Sequence, residues 1–152
     1  MVTVFRLLSE KPSNKLMAQT ATRQLITEEW PEIEPGQLMS LMNELGVLNP
    51  ELFHVELQFV DQETIQELNR DQRQKNESTD ILSFPLYSHA DLQSITQHPS
   101  PNIPTLLGTI VICQTIVDQR NHGLSWTLLH GLRHLFGYDH DKTGETWSPS
   151  RN

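Results

Sequence analysis

A chain of 152 residues with 36% hydrophobic residues can bury one modest core, so residues 1–152 are expected to form a single domain. No apolar run approaches the roughly 20 residues of a membrane-spanning helix, and no basic segment followed by a long apolar stretch opens the chain. A soluble, cytoplasmic protein without a membrane partner is therefore expected. The net charge of −8 opposes indiscriminate nucleic-acid binding, which draws its affinity from lysine and arginine, so such a role needs a local basic patch.

Val2, Val4 and Arg6 alternate with Thr3, Phe5 and Leu7, a short strand signal that suits a frayed terminus equally well. Over residues 14–29, Leu16, Met17, Ala21, Leu25 and Ile26 follow helical spacing, and Trp30-Pro31 marks the stop. A second helix places Leu38, Leu41, Met42 and Leu45 on one stripe, with Pro35 near its start and Gly46 as a C-cap. Phe53, Val55, Leu57 and Phe59 alternate with His54, Glu56 and Gln58, the pattern of a strand buried on one face. Asp61 can cap the helix that follows, with Ile65 and Leu68 facing inward and an end expected near Asn69. Arg70, Arg73 and Lys75 then form the candidate basic patch, for which a solvated charged surface is the ordinary alternative.

Residues 80–87 read as a strand that Pro85 confines to an edge or terminus. The stretch 88–104 holds Pro99, Pro101 and Pro104 with few apolar residues, and is expected to be an exposed, mobile loop. Residues 106–113 are the most apolar strand candidate. The single cysteine, Cys113, lies at its end and reads as a buried thiol with no disulfide partner, in keeping with a reducing compartment. A last helix is expected from about Ser125, whose hydroxyl can cap it, with Trp126, Leu128, Leu129 and Leu132 supplying apolar faces.

That helix bears the most informative residues. His130 and His134 are four apart and project from one helix face, so two imidazoles can reach one ion. Gly137 can end the helix and return the chain past the site, bringing His140 as a third ligand. Three neutral histidines leave a zinc ion with its full charge and one open position, the arrangement of a catalytic site. Structural zinc is the lesser alternative, because cysteine dominates structural sites.

The run from His130-Gly131 through Gly137-Tyr138-Asp139-His140 closely resembles the signature of the YbeY family of bacterial endoribonucleases and rRNA maturation factors. Leu68-Asn69, Arg73, Lys75, Thr79-Asp80 and Leu82-Ser83-Phe84-Pro85 resemble a second block of that family, and Leu107-Gly108 with Ile110-Val111-Ile112 a third. The resemblance covers about residues 53–140. It implies an α+β fold in which a small mixed β-sheet is packed with helices, including a zincin-like histidine helix, as one YbeY-like metal-dependent hydrolase domain. It further implies one zinc ion on His130, His134 and His140, and a catalytic role for Arg73 on RNA phosphate. The implied activity is single-strand-specific cleavage in ribosomal RNA maturation, including processing of the small-subunit rRNA 3′ end. Ribosomal RNA and the small ribosomal subunit are the implied partners, with no DNA expected.

The chain also departs from the family. Thr109 stands where the family usually has Asp, Arg133 where it has an apolar residue, and Ser78 where it has Pro. The stretch between Cys113 and His130 looks contracted, and the polar stretch after His140 lacks the family's closing helix with a methionine. A rival reading is therefore a catalytically weakened, zinc-stabilised ribosome-assembly factor that binds RNA or ribosomal protein without cleaving. A metalloprotease is disfavoured, because Gly131 occupies the position of that class's general-base glutamate. Asp139 suits an acceptor for a ligand imidazole and a turn cap equally well, and Asp80 suits a contact to Arg73 or a neighbouring loop as well as a purely local bond to backbone amides. Tyr138 reads as packing more than chemistry.

Overall fold

A computed structural model describes residues 31–98, 103–141 and 143–150. The expected strand near residues 2–7 and helix at 14–29 lie outside the described residues. In chain order the elements are α1 (Pro35–Glu44), a 3-10 turn (Pro50–Leu52), β1 (Phe53–Phe59), α2 (Gln62–Arg73), β2 (Ile81–Pro85), α3 (His89–Gln97), β3 (Thr105–Ile112), α4 (Gln114–Arg120), α5 (Leu124–Leu135), β4 (Tyr138–His140) and β5 (Trp147–Pro149). The main sheet has the order β1-β3-β2, with β1 parallel and β2 antiparallel to β3, while β4 and β5 form a separate hairpin. This is the mixed sheet packed with helices that the family resemblance implies. No helix among the described residues is long and apolar enough to cross a membrane.

Strand alternation divides the core between the two faces of the sheet. Phe53, Val55, Leu57 and Phe59 of β1 join Ile81, Ile110 and Ile112 in a cluster completed by Leu38 and Met42 of α1 and by Leu128, Leu132 and Leu135 of α5. On the opposite face, Leu82, Val111 and Cys113 meet Val60, Ile65 of α2 and Ile116 of α4. Full burial of each large aliphatic side chain contributes about 1.5–3 kcal/mol, so the face that carries α5 holds most of the apolar stabilisation. Cys113 is buried, as expected of its surroundings.

Several boundaries differ from the sequence expectations. Asp61 does cap α2, accepting from the Thr64 amide at 2.7 Å, but the helix runs beyond Asn69 to Arg73. Asn69 faces inward, and its amide nitrogen donates to the Glu77 carbonyl at 2.8 Å, so it anchors the loop after the helix. The expected loop over residues 88–104 is corrected in part, since His89–Gln97 is helical. Ser88 and Asp91 form a capping box and Leu92 is buried, which together outweigh the polar composition. Ser125 is not the cap of α5; Gly123 precedes the helix, and the Thr127 hydroxyl donates to its carbonyl at 3.0 Å. Trp126 is 47% exposed and stacks on His122 instead of facing the core.

Gly108 of β3 has φ of +145°, and a β-carbon there would collide with the Phe84 carbonyl of β2. Gly108→Ala should therefore destabilise the fold by about 2 kcal/mol or more, because the obstacle is backbone that cannot swing aside. Urea unfolding followed by circular dichroism measures this, and an unchanged midpoint would show that the two strands separate without cost.

Candidate metal centre

The close seating of α5 on the sheet determines where its histidines stand. Gly131 faces β2 and β3, and a β-carbon on it would press on the side-chain ends of Ile81 and Ile110. With the buried positions Gly131, Leu128, Leu132 and Leu135 directed at the sheet, His130 and His134 are left half-buried at the rim. Position 131 thus faces the core, and no carboxylate from it could serve the site.

After Leu135 the chain turns at Gly137, whose φ is +77° and where a β-carbon would collide with the His89 backbone of α3. That turn directs β4 back along α5 and delivers His140. One nitrogen from each of His130, His134 and His140 lies within 4.8 Å of the other two. The Nε2 atoms of His130 and His134 are 3.2 Å apart, close to the roughly 3.3 Å edge of a tetrahedron with metal–nitrogen bonds of about 2.0–2.1 Å.

The remaining ring nitrogens support this orientation. His140 Nδ1 lies 2.6 Å from the Asp141 carbonyl, which makes Nδ1–H the donor and leaves Nε2 for an ion. His134 has a backbone hydrogen bond to Tyr138, and its Nδ1 is 3.9 Å from Asp139 Oδ1. Asp139 itself accepts from the His140 amide at 2.9 Å. It therefore bonds within β4 and influences His134 by charge rather than by a hydrogen bond.

Burial, followed by the neighbouring imidazoles, lowers the His130 pKa to about 4. Burial and the His140 ring likewise lower that of His134. Both rings are thus neutral at cellular pH, the form that binds a divalent cation. The donor set fits zinc, which accepts three imidazoles and keeps an open position.

A cleft of about 640 Å³ opens at the three histidines, lined also by Arg73, Ile81, Ser83, Pro85, Tyr87 and Asp139. Of the predicted basic patch, only Arg73 lines it. Arg70 is engaged by Asp71 at 3.0 Å, and Arg133 lines a neighbouring groove, its guanidinium carbon 5.0 Å from the centre of the Trp147 ring. Asp80 does not contact Arg73. Its buried carboxylate accepts from Arg120 of α4 at 2.7 Å, which anchors the start of β2. Tyr138 packs on His89 with ring centres 4.7 Å apart and also lines the cleft.

Thr109 does not line the cleft of the three histidines. Ile110 points toward α5, so Thr109 projects from the other face of the sheet, where its hydroxyl donates to Glu56 Oε2 at 2.9 Å.

Trp147 is the site residue that sequence reasoning missed. It pairs with His140 across the hairpin, and its ring centre lies 5.0, 5.1 and 4.8 Å from those of His130, His134 and His140. The available signal was the turn between them. Asp141 accepts from the Thr143 amide and the Gly144 amide donates to the Asp141 carbonyl, an Asp-to-Gly spacing typical of a tight turn.

The family model described as Endoribonuclease YbeY matches residues 17–148. Proteins named Endoribonuclease YbeY from Halalkalibacterium halodurans and Sulfurovum sp. are 38% and 42% identical over 96 and 95 residues, covering 58% and 57% of this chain. The chain spans 60% of the length of each of these two relatives. A solution structure of a Thermotoga maritima protein aligns with 72% of this chain and 71% of its own at 25% identity, with a TM-score of 0.34.

Two outcomes are expected of the centre. His134→Ala should abolish zinc binding by metal analysis of the purified chain, and Gly137→Ala should weaken it by about tenfold, since a side chain at positive φ displaces β4 and His140. Full occupancy in the His134 variant would remove that residue from the ligand set. For the metal-free chain, the lowered His130 pKa means that the unfolded state takes up a proton first as the pH falls. Stability should therefore decline from about 6.5 toward 4 and level off below, as read from unfolding midpoints across that range.

Proposed function

The chain belongs to the Endoribonuclease YbeY family, and from that premise we propose that it is a zinc-dependent, single-strand-specific endoribonuclease acting in ribosomal RNA maturation, including processing of the small-subunit rRNA 3′ end. The observation that supports this reading best is the convergence of three histidine nitrogens and Arg73 on one cleft. In this reading His130, His134 and His140 hold a single zinc ion. When bound, that ion supplies a Lewis acid for a phosphodiester oxygen and lowers the pKa of water toward 7.

The protein's own residues do the rest. Arg73 is exposed at the last turn of α2, free to reach an anionic substrate, and its planar donors can hold two phosphate oxygens at once. Its fixed charge offsets the negative charge that builds during cleavage. The backbone hydrogen bonds of His134 and His140 would keep each ring turned toward the ion. Tyr87 and Tyr138 on the cleft wall offer surfaces for unpaired bases, in keeping with single-stranded RNA. Ribosomal RNA, in the context of the small subunit, is the proposed substrate, and the cytoplasm the proposed location.

The rival reading of a non-cleaving assembly factor rested partly on Thr109 and Arg133, and both stand outside the cleft. Cleavage of single-stranded ribosomal RNA fragments by the zinc-loaded chain, abolished by a chelator, is the expected result. Arg73→Ala should lower kcat/KM about tenfold or more with zinc content intact. Zinc-loaded protein that binds these RNAs and never cleaves them would favour the assembly factor.

A further inference from the structure

The wall of the cleft facing α5 is built by alternate residues of β2: Ile81, Ser83 and Pro85 line it, while Leu82 and Phe84 turn to the other face. Ser83 pairs with Ile110 of β3, the residue that lies against Gly131 of the histidine helix. Between an isoleucine and a proline, it is the one β2 residue lining the cleft that carries a polar side chain. Ser83 is 9% exposed, and its Oγ has no hydrogen-bond partner among the described residues.

A buried hydroxyl without a partner carries an uncompensated desolvation cost, which a ligand bound in the cleft would offset. We propose that Ser83 is a substrate-positioning residue whose hydroxyl donates to a phosphate oxygen of the RNA held in the cleft. The proposal rests on the endoribonuclease reading and assigns one more contact in its site. With no hydrogen bond to break, the hydroxyl is free to turn about χ1 toward a ligand. An anionic oxygen is the partner that such a group rewards most, because a hydrogen bond to a charged acceptor is about twice as strong as a neutral one. Arg73, lining the same cleft, supplies the opposite charge for the same phosphate.

The proposal predicts two changes of opposite sign in one variant. Ser83→Ala should lower kcat/KM for single-stranded RNA about tenfold, yet raise the melting temperature of the metal-free chain by about 2–4 °C, since an unsatisfied hydroxyl is removed. Zinc content should not change. Ser83→Thr keeps the hydroxyl and should stay within about threefold of the parent. A structural serine would lose stability along with activity, and parental kcat/KM in Ser83→Ala overturns the proposal while the endoribonuclease reading stands. If the parent cleaves no RNA, that reading fails, and fluorescence anisotropy with a single-stranded RNA oligonucleotide decides the proposal. Weaker binding by Ser83→Ala then supports it, whereas equal binding, or none by either protein, overturns it.

Discussion

The contact between α5 and the sheet is the constraint on which the site depends. A glycine at 131 lets the helix settle onto Ile81 and Ile110, and Leu128, Leu132 and Leu135 secure it over the main core. The helical period then does the rest: when positions 128, 131, 132 and 135 face the sheet, positions 130 and 134 stand at the rim beside β2. A larger residue at 131 would lift the helix and move two prospective ligands together, away from Arg73 on the opposite lip. Metal geometry and sheet packing are thus one problem, solved by the same residue.

The sequence was most legible where burial and chemistry had strong periods. Alternation identified β1 within its observed bounds, and the spacing of three histidines identified a cluster whose nitrogens do converge. Local side-chain bonds were harder to weigh. The end of α2 was misplaced because Asn69, commonly a helix terminator, points inward and bonds to the Glu77 carbonyl. Helix α3 was hidden by its polar composition, and its capping box lay within what read as loop. Long-range pairing was invisible altogether: nothing local to Asp80 indicates Arg120, and nothing local to Thr109 indicates Glu56. Trp147 belongs to the same class, since its proximity to the histidines arises from a hairpin that a polar tail conceals.

The departures from the family pattern look different once placed in space. Thr109 replaces a charge on the sheet face opposite the histidines and satisfies Glu56 there, which makes it an adjustment of strand pairing. Arg133 is not a bare charge on the metal helix, because its guanidinium lies over the Trp147 ring. The two substitutions therefore belong to separate neighbourhoods, and neither borders the cleft that Arg73 and Ser83 share.

The hairpin that closes the described chain has an optical consequence. It places an indole directly across from a prospective metal ligand, with two further imidazole rings within about the same distance. Indole emission responds to nearby ring dipoles and to the charge they carry, and an arriving cation would fix all three rings at once. Trp147 is thus wired as an intrinsic fluorophore for occupancy, so a titration of the unlabelled protein reads the centre without reference to any reaction.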